Sequence, residues 1–120
     1  MSTHPNAMLL LVLTPDDLTR KTMRTIVADA GGDVNDDSPK VKIGNEDYYV
    51  TIMEDDYDES YQISAKAGDI VLHDFLTYGY GEKIAWAQVV ERAAALQAWA
   101  DVAREKYRCT AQVYISANYW

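Results

Sequence analysis

The chain has 120 residues, of which 48% are hydrophobic and 25% are charged. This length fits one domain with its own hydrophobic core, and the composition excludes a chain that is disordered throughout. Eleven Lys and Arg against nineteen Asp and Glu leave a formal net charge of −8. A charge of this sign disfavours DNA and RNA as direct ligands and favours encounter with a basic partner.

Two features favour a cytoplasmic protein without a membrane anchor. Cys109 is the only cysteine, whereas a small secreted domain normally carries several in disulfides. The apolar run Met8–Leu13 is too short to span a bilayer, and no basic region precedes it as in a signal peptide. We therefore expect a cytoplasmic location and no membrane partner.

The first third of the chain predicts a buried strand followed by a helix. Met8–Leu13 is continuously apolar and short, which is typical of a central strand buried on both faces. Thr14 is a good N-cap and Pro15 suits the first helical position, so we expect a helix from Pro15 to about Ala30. The Gly31-Gly32 pair then ends this helix.

The middle third predicts a hairpin between acidic loops. Residues 33–39 are rich in turn formers, and Lys40–Ile43 alternates polar and apolar residues. Residues 44–47 are typical of a turn, and Tyr48–Met53 is rich in β-formers. The acidic stretch Glu54–Glu59 follows the second predicted strand.

The last half predicts further strands and a long helix. Tyr61–Ala65 alternates as a strand does, and Asp69–Leu76 fits either a strand or a short helix. Residues 82–107 are alanine-rich without Pro or Gly and predict a helix, and Thr110–Ser116 predicts a final strand. The expected core face of the long helix recurs at three-and-four spacing: Trp86, Val89, Ala93, Leu96, Ala100, Ala103 and Tyr107.

This element order predicts an α+β fold in one domain, residues 1–120, with residues 1–7 flexible. Runs of strands between the two helices favour a mixed or antiparallel sheet over a doubly wound one. We expect the two main helices to pack on one face of that sheet, as a ferredoxin-like sandwich with an insertion.

Residues that could carry chemistry are few. His73 is next to Asp74, but neighbours on a strand point to opposite faces and do not readily share a site. Cys109 has no base at a useful spacing, and the Gly79–Gly81 turn lacks the Lys-Ser or Lys-Thr of a phosphate loop. Glu54–Glu59 lacks the spacing of a calcium loop. We predict no catalytic site, no metal site and no cofactor.

Acidic residues cluster in the middle of the chain, where most of the charge excess lies. The clusters fall at 33–37, at 46–47 and at 54–59, in predicted loops and turns bordering the hairpin. Tyr48, Tyr49, Tyr57 and Tyr61 are interleaved with them, and such rings beside charges are typical of interfaces. A core position for Tyr48 or Tyr49 beside a solvated acidic loop is the alternative.

The chain resembles the small immunity proteins of bacterial polymorphic toxin systems, including contact-dependent growth inhibition. The resemblance lies in the compact acidic α+β layout and in segments such as Glu46–Tyr49 and Glu54–Glu59. It implies a complex with a basic nuclease toxin domain, an RNase or tRNase, whose active site or RNA groove is covered. The predicted contact residues are Asp36, Asp37, Glu46, Asp47, Tyr49, Asp55, Asp56, Tyr57 and Asp58.

Two other functions remain open. The same surface would serve another acidic inhibitor, an antitoxin or a nucleic-acid mimic. A small-molecule module or enzyme would instead use a pocket near His73, Tyr78 and Tyr80 beneath the long helix. Substitution of His73 would abolish the activity of such an enzyme, whereas charge reversal at Asp55 and Asp56 would abolish partner binding.

Overall fold

The computed structural model describes residues 5–53, 57–58, 63–64, 66–78 and 81–119, and the side chains of residues 7–53, 66–77 and 81–116. In these ranges the chain forms two helices, α1 (Thr19–Asp29) and α2 (Trp86–Lys106). The strands are β1 (Pro5–Pro15), β2 (Lys40–Ile43), β3 (Glu46–Ile52), β4 (Tyr57–Asp58), β5 (Ile63–Ser64), β6 (Ile70–Tyr78) and β7 (Cys109–Tyr119). Neither helix is long and apolar enough to cross a membrane.

Five strands form one antiparallel sheet in the order β2-β3-β6-β1-β7, and β4 pairs with β5 separately. The predicted position of Met8–Leu13 is confirmed, because β1 lies between β6 and β7. Its apolar side chains point alternately to the two faces, and Met8, Leu9 and Leu11 are fully buried. The segment 69–76 is a strand, β6, and not a helix.

Both helices pack on the same face of the sheet. Leu9, Leu11 and Leu13 of β1 share one buried cluster with Ile26 of α1 and Leu96 of α2. The connections from β1 through α1 to β3, and from β6 through α2 to β7, give the ferredoxin-like order β3-β6-β1-β7. The strand β2 extends this sheet, and β4 and β5 belong to the insertion between β3 and β6. The predicted fold class is confirmed.

The opposite face of the sheet has its own smaller buried cluster. Met8, Leu10, Met53 and Val71 are at most 4% exposed there. This second cluster explains why β1 is apolar at every position rather than at alternate ones. The opposite face also carries the outward side chains of β3 and β6, which form the candidate site below.

The predicted start of the first helix is wrong. Thr14 and Pro15 belong to β1, where they pair with Thr110 and Cys109 of β7, and α1 begins only at Thr19. The hydroxyl of Thr14 donates to the Oδ1 atom of Asp69 at 2.7 Å rather than capping a helix. A local capping signal is worth about 1 kcal/mol, and the long β1–β7 ladder outweighs it.

The long helix begins later than predicted, and one residue of its predicted core face is exposed. Val89, Leu96 and Ala100 are buried as expected, but Trp86 is 73% exposed. The predicted face repeats every 3.5 residues, whereas an α-helix has 3.6 residues per turn, so the face drifts by about 20° per heptad. Trp86 lies three heptads from Tyr107 and has drifted out of contact with the sheet.

Candidate functional site

Residues 33–59 carry the whole net charge of the chain. This segment holds ten of the nineteen acidic residues and two of the eleven basic ones, a formal charge of −8. The remaining residues hold nine of each and are neutral together. The described part of the segment contains the loop before β2 and the β2–β3 hairpin at one edge of the sheet. The charge of this protein is therefore a property of one region.

Two acidic side chains shape the loop before β2. The carboxylate of Asp33 accepts a hydrogen bond from the backbone N–H of Asn35 at 2.9 Å. The carboxylate of Asp36 accepts one from the backbone N–H of Ser38 at 3.0 Å. Such bonds between a side chain and its own backbone fix tight turns. Both residues and Asp37 are exposed. The loop thus presents acidic groups on a defined backbone.

The hairpin divides the predicted contact residues between the two faces of the sheet. Gly44 (φ 64°) occupies the first position of a two-residue turn, which joins Ile43 to Glu46 and fixes the register. Glu46 is half-buried on the helix face, whereas Asp47 is exposed on the opposite face across from Lys42. Glu46 and Asp47 therefore cannot act through one flat surface.

Tyr48 and Tyr49 are divided in the same way. Tyr48 is 1% exposed in the core, and Tyr49 is 40% exposed on the opposite face. The ring of Tyr49 lies 5.9 Å from the ring of His73 across the β3–β6 pair, and the Nζ atom of Lys40 lies 5.0 Å from its centroid. The ring of Tyr49 thus contacts side chains of both neighbouring strands while it stays 40% exposed.

A cleft of about 490 Å³ opens beside Tyr49 on the face away from the helices. It combines side chains of the acidic loop with those of two neighbouring strands. Its volume lies within the range of small-ligand pockets, roughly 300–1,000 Å³. The cleft is lined by Asp37, Ser38, Tyr49, Val50, Thr51, His73, Asp74 and Phe75.

His73 and Asp74 do not form a catalytic pair. The Nε2 atom of His73 lies 3.3 Å from the hydroxyl of Thr51, and burial lowers the pKa of its imidazole, which keeps the ring neutral at pH 7. The side chain of Asp74 bonds Arg92 of α2 at 2.6 Å on the helix face. The expectation of a pocket at His73 beneath the long helix is wrong, because His73 points away from α2.

A second cleft, of about 290 Å³, lies on the helix face between the hairpin turn and α2. Glu46, Tyr48 and Arg92 line it with residues of α2. Burial raises the pKa of Tyr48, and the neighbouring guanidinium of Arg92 partly opposes this shift. Arg92 has its ion-pair partner in Asp74, and Glu46 and Glu91 both line this cleft.

Several predicted residues fall outside what the structure describes. Asp55 and Asp56 lie outside the described residues, as do Gly79 and Tyr80. The structure describes the backbone of Tyr57, Asp58 and Tyr78 and not their side chains, so the roles of all these residues stay predictions. Within the described ranges, no three His, Cys, Asp or Glu side chains lie close enough together to hold a metal ion.

Sequence reasoning did not place Lys40, His73 and Tyr49 together. The pairing of Lys40 with Tyr49 follows from the short hairpin turn, but that of Tyr49 with His73 needs the β3–β6 register across the insertion.

The chain matches no known protein family, and no curated protein and no solved structure is significantly similar to it. The surface of the molecule is therefore the basis on which its function can be inferred.

Proposed function

We propose that this protein is an immunity protein that binds and neutralises a basic nuclease toxin domain in the cytoplasm. The observation that supports it most is that residues 33–59 carry the whole net charge of −8, and that the part of this segment containing β2 and β3 lies at one edge of the main sheet. A nuclease holds phosphate groups with Lys and Arg, so a concentrated negative surface attracts the same residues. The active site or RNA groove of the toxin is the surface this edge would cover.

The distribution of the charge favours a specific partner over general solubility. A charge that serves solubility can be spread over the surface, whereas here the rest of the chain is neutral. Opposite charges on two partners raise the association rate, and this acceleration falls steeply with ionic strength. We therefore expect fast, salt-sensitive association.

Tyr49 supplies an aromatic side chain that can pack against the partner in addition to the charge attraction. Residues that dominate binding energy are enriched in Tyr, Trp and Arg, and they lie in well-packed surroundings that exclude water. Tyr49 is 40% exposed, is packed by His73 and Lys40, and lies beside the exposed acidic residue Asp37. It is the described side chain best suited to enter the partner and slow its release.

The first experiment is affinity capture from a lysate of the source cells, followed by a nuclease assay on the captured protein. We expect a basic nuclease whose RNA cleavage stops when this protein is added. The double substitution Asp37→Lys with Asp47→Lys should lower the affinity at least about 100-fold, because exposed acids facing a basic partner become repulsive. Raising the salt concentration should weaken the wild-type complex similarly.

The control for this variant is Glu105→Lys with Asp17→Lys, which makes the same change in net charge. Both residues are exposed and lie in the neutral part of the chain. This control should retain nearly full inhibition. Equal losses for the two double variants would show that net charge, and not the acidic edge, drives binding. Capture of no basic nuclease would contradict the proposal.

The cleft of about 490 Å³ beside His73 supports a second candidate, a small-molecule-binding module. Under this alternative His73→Ala abolishes ligand binding, and Asp47→Lys, at a residue that does not line the cleft, binds the ligand no less tightly than the wild type. A differential scanning fluorimetry screen of small metabolites with both variants separates the two functions. A ligand that stabilises the wild type and fails to stabilise His73→Ala would favour the second candidate.

A further inference from the structure

The two edges of the main sheet differ in their protection. The edge strand β2 has four residues, two of them lysines, and follows Pro39, and these are devices that keep sheet edges from pairing with other chains. The edge strand β7 has eleven residues and contains no Lys, Arg, Asp, Glu or Pro. In the described part of the chain β7 has β1 as its one neighbour.

The register shows which groups of β7 face outward. The amide of Asp16 donates to the carbonyl of Arg108, so this is a hydrogen-bonded pair of the antiparallel ladder. Hydrogen-bonded and non-hydrogen-bonded pairs alternate, and residues 110, 112 and 114 therefore bond β1. Residues 111, 113 and 115 direct their N–H and C=O groups to the open edge. Arg104 of α2 confirms this direction, since its guanidinium donates to the carbonyl of Ala111 at 2.6 Å.

Two large apolar side chains of this edge strand are accessible. Tyr114 is 49% exposed and Ile115 is 56% exposed, on opposite faces of β7. Trp86 lies eighteen residues before Arg104, which is five helical turns, and so it is on the same side of α2, above the open edge. Trp86 is 73% exposed and Val90 is 48% exposed. The apolar surface thus continues from the strand onto the helix.

We propose that β7 pairs antiparallel with β7 of a second copy of this chain, which joins two sheets into one of ten strands. Pairing all eleven residues places Tyr114 opposite Tyr114 of the second copy on the two-fold axis, and Ile115 opposite Val113. The carbonyl of Ala111 keeps its hydrogen bond from Arg104 and would accept from the second copy with its other lone pair. In this register the outward groups of residues 113 and 115 hydrogen-bond each other. The interface is isologous, as in most homodimers.

The charge distribution favours a second copy at this edge. β7 contains no charged residue, and the charge of Arg104, which contacts this edge at Ala111, is paired with Asp101. The described acidic residues, in the loop before β2 and in the β2–β3 hairpin, lie toward the far edge, so the two β3 strands would be seven strand spacings apart, roughly 34 Å, which is several Debye lengths at physiological salt. Pairing through β2 would instead bring both acidic regions together.

The size of the interface predicts a dimer that dissociates on dilution. Eleven paired residues span roughly 37 Å, and the sheet with its helix layer is about 15 Å deep, which gives on the order of 1,100 Å² buried in total. This area lies just above the minimum of about 1,000 Å² for a specific interface. The dimer would leave the acidic edge of each copy free, so the inference goes beyond the proposed function.

Sedimentation equilibrium over about 1 to 500 µM tests this proposal. The wild type should shift from 13.5 kDa to twice that mass. Ile115→Pro removes an outward N–H that does not bond β1, and Ile115→Lys places a charge at the axis; each should weaken the dimer at least about tenfold. Leu18→Lys, an equally drastic change at a 70% exposed residue outside this edge, should leave the dimer unchanged.

Amide hydrogen exchange supplies a second measurement that does not depend on variants. The amides of Val113 and Ile115 should exchange more slowly as concentration rises, whereas those of Gln112 and Tyr114 should be protected at every concentration. A wild type that stays monomeric up to about 500 µM overturns the proposal. So does a dimer whose Val113 and Ile115 amides exchange at the monomer's rate. A monomer that binds another protein's strand through β7 is also contrary to it.

Discussion

Removing one partner of the ion pair between Asp74 and Arg92 should destabilise the fold far more than removing one partner of a second pair of the same length. Both the Asp74–Arg92 and Asp101–Arg104 pairs have an N–O distance of 2.6 Å. The Asp74 and Arg92 side chains are 24% and 14% exposed, whereas those of Asp101 and Arg104 are 61% and 41% exposed. The two pairs therefore differ chiefly in burial.

Removing one partner of a buried pair costs about 3–5 kcal/mol, because the other charge stays buried without compensation. The partial exposure of Asp74 and Arg92 lowers this, so Asp74→Ala should reduce the free energy of unfolding by about 2–3 kcal/mol. Asp101→Ala should cost at most about 0.5 kcal/mol, the usual value for an exposed pair. Arg92 also donates a hydrogen bond to the carbonyl of Phe75, and Asp74→Ala leaves this bond in place.

Urea unfolding at pH 7 followed by far-ultraviolet circular dichroism measures both variants. The double variant Asp74→Ala with Arg92→Met should recover most of the loss, since it removes the uncompensated charge as well as its partner. Equal losses for Asp74→Ala and Asp101→Ala would refute the argument from burial. An unchanged loss in the double variant would show that packing, and not the buried charge, sets the cost.

Three further predictions concern single side chains. Burial lowers the pKa of His73 from 6.5, so near that pH the unfolded chain binds more protons than the folded one. The contribution of His73 to stability is therefore complete above about pH 7 and falls as the pH drops. His73→Gln should remove this loss in urea titrations at about pH 7 and about pH 5.5. Thr14→Val removes the donor to the buried carboxylate of Asp69 and should cost about 1–2 kcal/mol in the same assay, whereas no loss would contradict the hydrogen bond. Tyr49→Ala should weaken partner binding at least about 30-fold by isothermal titration calorimetry, while its unfolding free energy falls by less than about 1 kcal/mol. A loss of unfolding free energy larger than the loss of binding free energy would show that Tyr49 mainly stabilises the fold.

The regular elements could be predicted wherever local pattern and tertiary packing agree. The apolar run at Met8–Leu13 indicates a central strand because no other position in the sheet buries both faces. The hairpin follows from two alternating runs around Gly44, and the alanine-rich stretch favours a helix in any context. These signals together lead to the α+β order and the ferredoxin-like arrangement.

The errors lie where long-range pairing overrides a local signal. Thr14 and Pro15 have the character of a helix start, yet the β1–β7 ladder extends through both. Trp86 fits a heptad pattern whose drift becomes visible only when the helix is placed on the sheet. Neighbours along the chain gave no information about strands brought together across a connection.

The same limit applies to the candidate site. The acidic excess and its position along the chain are visible in the sequence, and so is the alternation that turns Tyr49 outward. The contact between Tyr49 and His73 depends on the β3–β6 register, and the insertion between these strands leaves that register undetermined. The open edge at β7 likewise becomes apparent only with the strand order.

The most direct test of the central claim maps the partner's footprint by nuclear magnetic resonance. The captured basic protein is titrated into the ¹⁵N-labelled chain, and the shifts of backbone amides are followed. We expect the largest shifts within residues 33–59 and around His73, and we expect them to vanish in the Asp37→Lys with Asp47→Lys variant. Shifts confined to α1 or to β7, with the acidic edge unperturbed, would contradict it.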